Sequence, residues 1–201
     1  MRCKAALCLL ALLNLGFAQT PSASLQRLVE GNQRYTKDQL LHADHSPDRR
    51  DSLLNAQKPF AAILGCSDSR VIPEVIFDQG LGDLFVVRVA GNIVGPIGLD
   101  SIDYAVKILG ASLIVVIGHE SCGAVGAVMD GKTADIQAIA ALIKPAIQGS
   151  KSLEEAVKDN VRQTVATLKK NPLFKRLLTD KKIDCVGAYY HLGTGNVEIL
   201  K

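Results

Sequence analysis

The sequence predicts an α/β protein: a central, mainly parallel β-sheet flanked by helices, preceded by an N-terminal helical arm. Three observations carry this. Short apolar runs rich in β-branched residues recur at 60–65 (FAAILG), 84–89 (LFVVRV), 113–118 (LIVVIG) and 183–190 (IDCVGAYY). Segments of helical period separate them. The runs are continuously apolar rather than alternating, as expected of strands covered on both faces. With 201 residues, 48% of them hydrophobic, the chain is long enough for one domain with a substantial core.

From the N-terminus, residues 1–18 carry Arg2 and Lys4, an apolar run from Ala5 to Leu13, and the small residues Gly16 and Ala18. This pattern predicts a cleaved signal peptide, and the run is shorter than the ~20 residues a bilayer span needs. The expected product is an exported protein, periplasmic in a Gram-negative bacterium and otherwise secreted, with no membrane attachment after cleavage. It would be a single domain over 19–201, with the arm at 19–58 and the α/β core at 59–201.

In the arm, SASLQRLVEGNQRYTKD (22–38) places Leu25, Leu28, Val29 and Tyr35 at helical spacing, and Ser46 with Pro47 opens a second helix expected to reach Gln57. Helices are further expected near Pro73–Phe77, over Leu99–Leu109, within Ala134–Ile147 and over Ser152–Leu178, with Pro145 and Pro172 as breaks. The closing VEIL (197–200) reads as a short edge strand.

The net charge of +3 is small and scattered, with no basic tract interleaved with aromatics, so nucleic acid is not an expected partner. GPIG and GTGN lack the strand-to-helix context and spacing of a phosphate-binding loop. Beyond Cys3 and Cys8 of the leader the chain has Cys66, Cys122 and Cys185, too few and odd in number for a disulfide framework. Cys185, inside the last long strand, reads as a core thiol.

Ligands of a parallel sheet gather at the carboxyl ends of its strands. GCSDSR (65–70) follows the first strand and GHESCG (118–123) the third. Cys66, His119 and Cys122 offer two thiolates and an imidazole, a donor set that suits zinc, and Asp68 adds an oxygen beside the cation Arg70. Singly, each is explained as well by a buried core thiol, a satisfied strand-end histidine or a local ion pair. Together, directly after two core strands, they point to a metal.

Cys66-Ser67-Asp68-Ser69-Arg70 with His119-Glu120-Ser121-Cys122-Gly123, separated by the RVAGN segment Arg88–Asn92, closely resembles the β-class carbonic anhydrases, and the resemblance runs from about Leu25 to the end. It implies reversible hydration of carbon dioxide to bicarbonate and a proton, with one zinc ion per subunit on Cys66, His119 and Cys122. It implies that Asp68 and Arg70 form the catalytic dyad, Asp68 becoming a fourth metal ligand in a closed form only. Gln57, Phe85 and Tyr104 match the residues that line the substrate pocket in the plant-type branch. Gly123 would bring its backbone N–H to CO2 or bicarbonate. The tryptophan that helps close the other branch is replaced by Ile63, and the chain has no tryptophan. The resemblance further implies a homodimer or a dimer-based higher oligomer, with the arm packed on the neighbour. A carbon disulfide or carbonyl sulfide hydrolase, or a non-catalytic zinc-binding module, is the alternative on the same scaffold. Val89, where many relatives carry Asn, and the acidic Glu120-Ser121 depart from the family pattern without touching a ligand.

Overall fold

The computed structural model describes residues 19–201; the expected signal peptide at 1–18 lies outside the described residues. Four parallel strands, β1 (Ala61–Gly65), β2 (Leu84–Arg88), β3 (Leu113–His119) and β4 (Asp184–Tyr190), and the antiparallel β5 (Val197–Leu200) form one sheet in the order β2-β1-β3-β4-β5. Every residue of β1 and β3 is buried, which explains their unbroken apolar sequences. β2 departs from the expectation of full burial. It lies at the sheet edge, and its residues from Leu84 to Val87 are only partly covered.

Helix α1 (Pro21–Thr36) opens with Pro21 at its first position and with the Thr20 hydroxyl accepting the Ala23 N–H at 3.2 Å. Helix α2 (Pro47–Ser52) starts on the predicted Ser46 cap but stops well before Gln57, leaving residues 55–59 irregular. Two aspartates fasten this arm. Asp83 is paired with Arg27 at 2.7 Å and Arg49 at 3.5 Å. Asp78, after α3 (Pro73–Ile76), accepts from Arg34 at 2.6 Å and from the N–H groups of Leu41 and His42.

Helix α4 (Pro96–Lys107) begins three residues before the expected Leu99, because Pro96 suits a first turn. Helix α5 (Gly123–Met129), GAVGAVM, was not expected; two glycines in seven residues conceal its period. Helix α6 (Gln137–Ile143) ends before Pro145, and Pro172 separates α7 (Leu153–Lys170) from α8 (Pro172–Thr179). Helix α7 lies across β3 and β4 over Gly118 and Gly187, where a Cβ would come within 2.7 Å and 2.8 Å of the valine methyls of α7. Among the described residues no helix is long and apolar enough to cross a membrane.

Candidate metal centre

From β1 the chain crosses to β2 on one side, whereas β3 lies on the other, so the carboxyl ends of β1 and β3 flank the crevice where the strand order reverses. Their register pairs Gly65 with Ile117, which puts Cys66, one residue beyond β1, level with Gly118 and next to His119. Cys122 follows one turn later as the N-cap of α5. The ligand atoms of Cys66, His119 and Cys122 all lie within 4.8 Å of one another, and all three residues are buried.

His119 carries the decisive detail. Its Nδ1 lies 2.9 Å from the Glu120 carbonyl, which fixes the tautomer that donates there. That leaves Nε2 as a bare acceptor, fully buried and without a hydrogen-bond partner. A buried imidazole nitrogen within reach of two sulfurs makes a donor set that fits a soft metal. The Cys66 thiol is pulled well below the usual thiol range, chiefly by the adjacent Cys122 thiol and by the Gly91 and Asp68 backbone, against the opposing effect of burial. Cys122, as the donor in that pair and buried, is held up.

Asp68 sits at the rim. Arg70 grips it as a fork, Nε to Oδ1 at 2.9 Å and Nη2 to Oδ2 at 2.7 Å, and its backbone N–H reaches Oδ1 at 2.9 Å. These bonds, the guanidinium first, hold the carboxyl far below the usual carboxylate range. Asp68 Oδ2 is 3.9 Å from His119 Nε2.

Several supports were not visible in the sequence. Arg88, at the end of β2, donates to the Cys66 carbonyl at 3.0 Å and the Asp68 carbonyl at 2.6 Å, pinning the loop that carries both. Gly91 donates its N–H to Cys66 Sγ at 3.3 Å. Glu120, a departure from the family pattern, accepts the Gly193 N–H at 3.3 Å and so braces the turn before β5. Cys185 is buried away from the cluster, and burial pushes its thiol up to about 12, as befits a core residue.

The expected pocket residues are placed differently. Gly123 begins α5, with open space where a side chain would stand. Phe85 and Tyr104 meet, ring centroids 6.2 Å apart, and Tyr104 is 48% exposed. Phe85 pairs with Ala62, four residues before Cys66, which is about 13 Å down the strand. Gln57 is exposed in the irregular stretch before β1. Within one subunit these three are not gathered at the sulfur cluster.

A family model described as Carbonic anhydrase matches residues 61–197. The chain belongs to the carbonic anhydrases. The carbonic anhydrase of Mycolicibacterium smegmatis is 40% identical over 191 residues, covering 89% of this chain and 93% of that protein. Carbonic anhydrase 2 of Mycobacterium tuberculosis is 38% identical over 187 residues, covering 87% and 90%. Among solved structures, the β-carbonic anhydrase CcaA superposes with a TM-score of 0.68 at 27% identity, covering 88% of this chain and 87% of that one. The β-carbonic anhydrase CafA of Aspergillus fumigatus gives 0.70 at 25%, covering 90% of each. The sheet with its flanking helices is thus that of a β-carbonic anhydrase. In this carbonic anhydrase, among the described residues, the Cys66, His119 and Cys122 cluster is a group able to hold the zinc that β-class enzymes use.

Proposed function

We infer that this β-carbonic anhydrase hydrates carbon dioxide reversibly at the Cys66, His119 and Cys122 cluster, with Asp68 and Arg70 as its acid–base dyad. The observation that carries the reading is the buried, unpartnered His119 Nε2 facing both sulfurs, beside a carboxylate already claimed by an arginine. Zinc bound by this set supplies the Lewis acidity that makes water nucleophilic near neutral pH. The chain's own residues do the rest. Two thiolates cancel much of a dication's charge, so an additional proton acceptor is needed, and Asp68 offers one. Arg70 keeps that carboxylate ionised and aimed, and keeps it from filling the coordination position that water needs. Gly123, free of a side chain, leaves its N–H open to an oxygen of CO2 or bicarbonate.

The open arrangement of Asp68, with Ile63 in place of tryptophan, supports assignment to the plant-type branch. For Gln57, Phe85 and Tyr104 to line the pocket, a second copy must bring them to it, which supports a homodimer as the working unit or as the building block of a larger oligomer. The half-covered edge strand β2, the exposed Ile97 and Tyr104 of α4 and Ile108 just after it offer an apolar face for that association. Arg2, Lys4 and the apolar run to Leu13 support cleavage near residue 18, export, and a mature domain over 19–201. Zinc content and CO2 hydration measured together on protein lacking residues 1–18 test the reading. One zinc per subunit with CO2 hydration is expected, and loss of both in Cys66→Ser; bound zinc without CO2 hydration would overturn it.

A further inference from the structure

We propose that Asn160, on α7, is a positioning residue for the metal centre, acting through the backbone of Gly91 on the Cys66 sulfur. The buried stripe of α7 is Ala156, Val157, Asn160, Val161, Thr164 and Leu168, and Asn160, 1% exposed, is its only amide. Burying an amide costs free energy unless its hydrogen bonds are made, so an apolar residue would serve packing alone equally well. Asn160 Nδ2 donates to the Gly91 carbonyl at 2.7 Å.

Gly91 is the residue that converts this bond into an effect on the metal site. Its φ of 73° lies in the left-handed region, and a Cβ there would come 2.7 Å from Ile143 Cδ1, so a side chain at this position would be strained. On one side its carbonyl is held by Asn160, and on the other its N–H points at Cys66 Sγ, 3.3 Å away. Asn160 therefore fixes the torsions that aim this N–H. An N–H donated to a ligating thiolate draws charge off the sulfur and lets the metal keep more of its own, which matters most where two thiolates share the ion. This rests on the reading that Cys66 ligates zinc, and it adds a residue on a helix that contributes no ligand.

Two measurements test it on the dimer-competent protein. In the wild type loaded with cadmium-113, the Gly91 amide proton should show scalar coupling to the metal through the sulfur; no coupling, with cadmium bound at one per subunit, overturns the proposal. In Asn160→Leu, similar in volume but without the amide, zinc affinity should fall about 10- to 100-fold. The sulfur-to-cobalt charge-transfer band of the Co2+ form should shift as well. A lowered melting temperature with unchanged affinity and band overturns the proposal, since that is all a packing role would give. Asn160→Ala, which removes the donor without adding bulk, provides the same readings where Asn160→Leu does not fold. A wild-type protein that binds no metal at this cluster would sink the functional reading itself, a result distinct from either of these.

Discussion

Asp68 takes three N–H bonds from a single neighbour, Arg70, and this settles which form of the carboxylate the site presents. A carboxylate so held stays ionised through the neutral range, and the Arg70 that holds it is exposed. Asp68→Asn should keep one zinc per subunit and lose about 100-fold or more in kcat for CO2 hydration, since an amide keeps the shape but cannot take the proton. Metal analysis beside stopped-flow rates checks this; full activity in Asp68→Asn would remove Asp68 from the mechanism. Cys66, His119 and Cys122 were legible as candidate metal donors because donor type is a property of the residue itself. Those of Arg88, Gly91 and Asn160 were not, because each acts through a backbone group whose neighbour only the fold supplies.

Among the elements, the contact of α7 with β3 depends on side chains that are absent. At Gly118 a Cβ would stand 2.7 Å from both Val157 Cγ1 and Val161 Cγ2, and β-branched valines have little rotamer freedom to yield. Gly118→Ala should therefore destabilise by about 1–3 kcal/mol, read as a lower urea midpoint with unchanged slope. Because Gly118 immediately precedes His119, weakened zinc retention should accompany it, measured by chelator competition. The strands were legible as apolar runs and the break at Pro172 as a residue without an N–H, whereas α5 was hidden by its glycines and α2 ended early where Leu53 caps it. Periodicity reports a helix only where a full apolar stripe is buried, and α2 buries none of its residues.

Across the whole molecule, the helical arm is tied to the core through buried carboxylates. Burial works against the charged form of Asp78, but Arg34 and the N–H groups of Leu41 and His42 outweigh it and lower its pKa. A carboxyl depressed in the folded state contributes stability that is present above its unfolded value of about 3.9 and is lost as pH falls through the lower folded value. Asp78→Asn should cost about 2–3 kcal/mol at pH 7, less than for a fully buried pair because Arg34 reaches solvent. The deficit should begin to shrink below about pH 4, where the unfolded chain takes up the proton, and close only as pH falls through the lower folded value. Denaturant titrations at pH 7 and pH 3.5 check both the size and the sign; an equal deficit at the two pH values would assign the effect to packing.

By itself the sequence determined the fold class, the strand segments, the chemical identity of the candidate metal donors and their placement at the ends of two core strands. These follow from residue type and local period, which a chain carries before it folds. The tertiary structure decided that β1 and β3 are neighbours, so that Cys66 and His119, 53 positions apart, face one another. It also decided that Gln57, Phe85 and Tyr104 stand away from the cluster of their own subunit. Strand order is fixed by which apolar faces can be buried together and which close approaches the glycines permit, and such pairings link residues far apart in the chain.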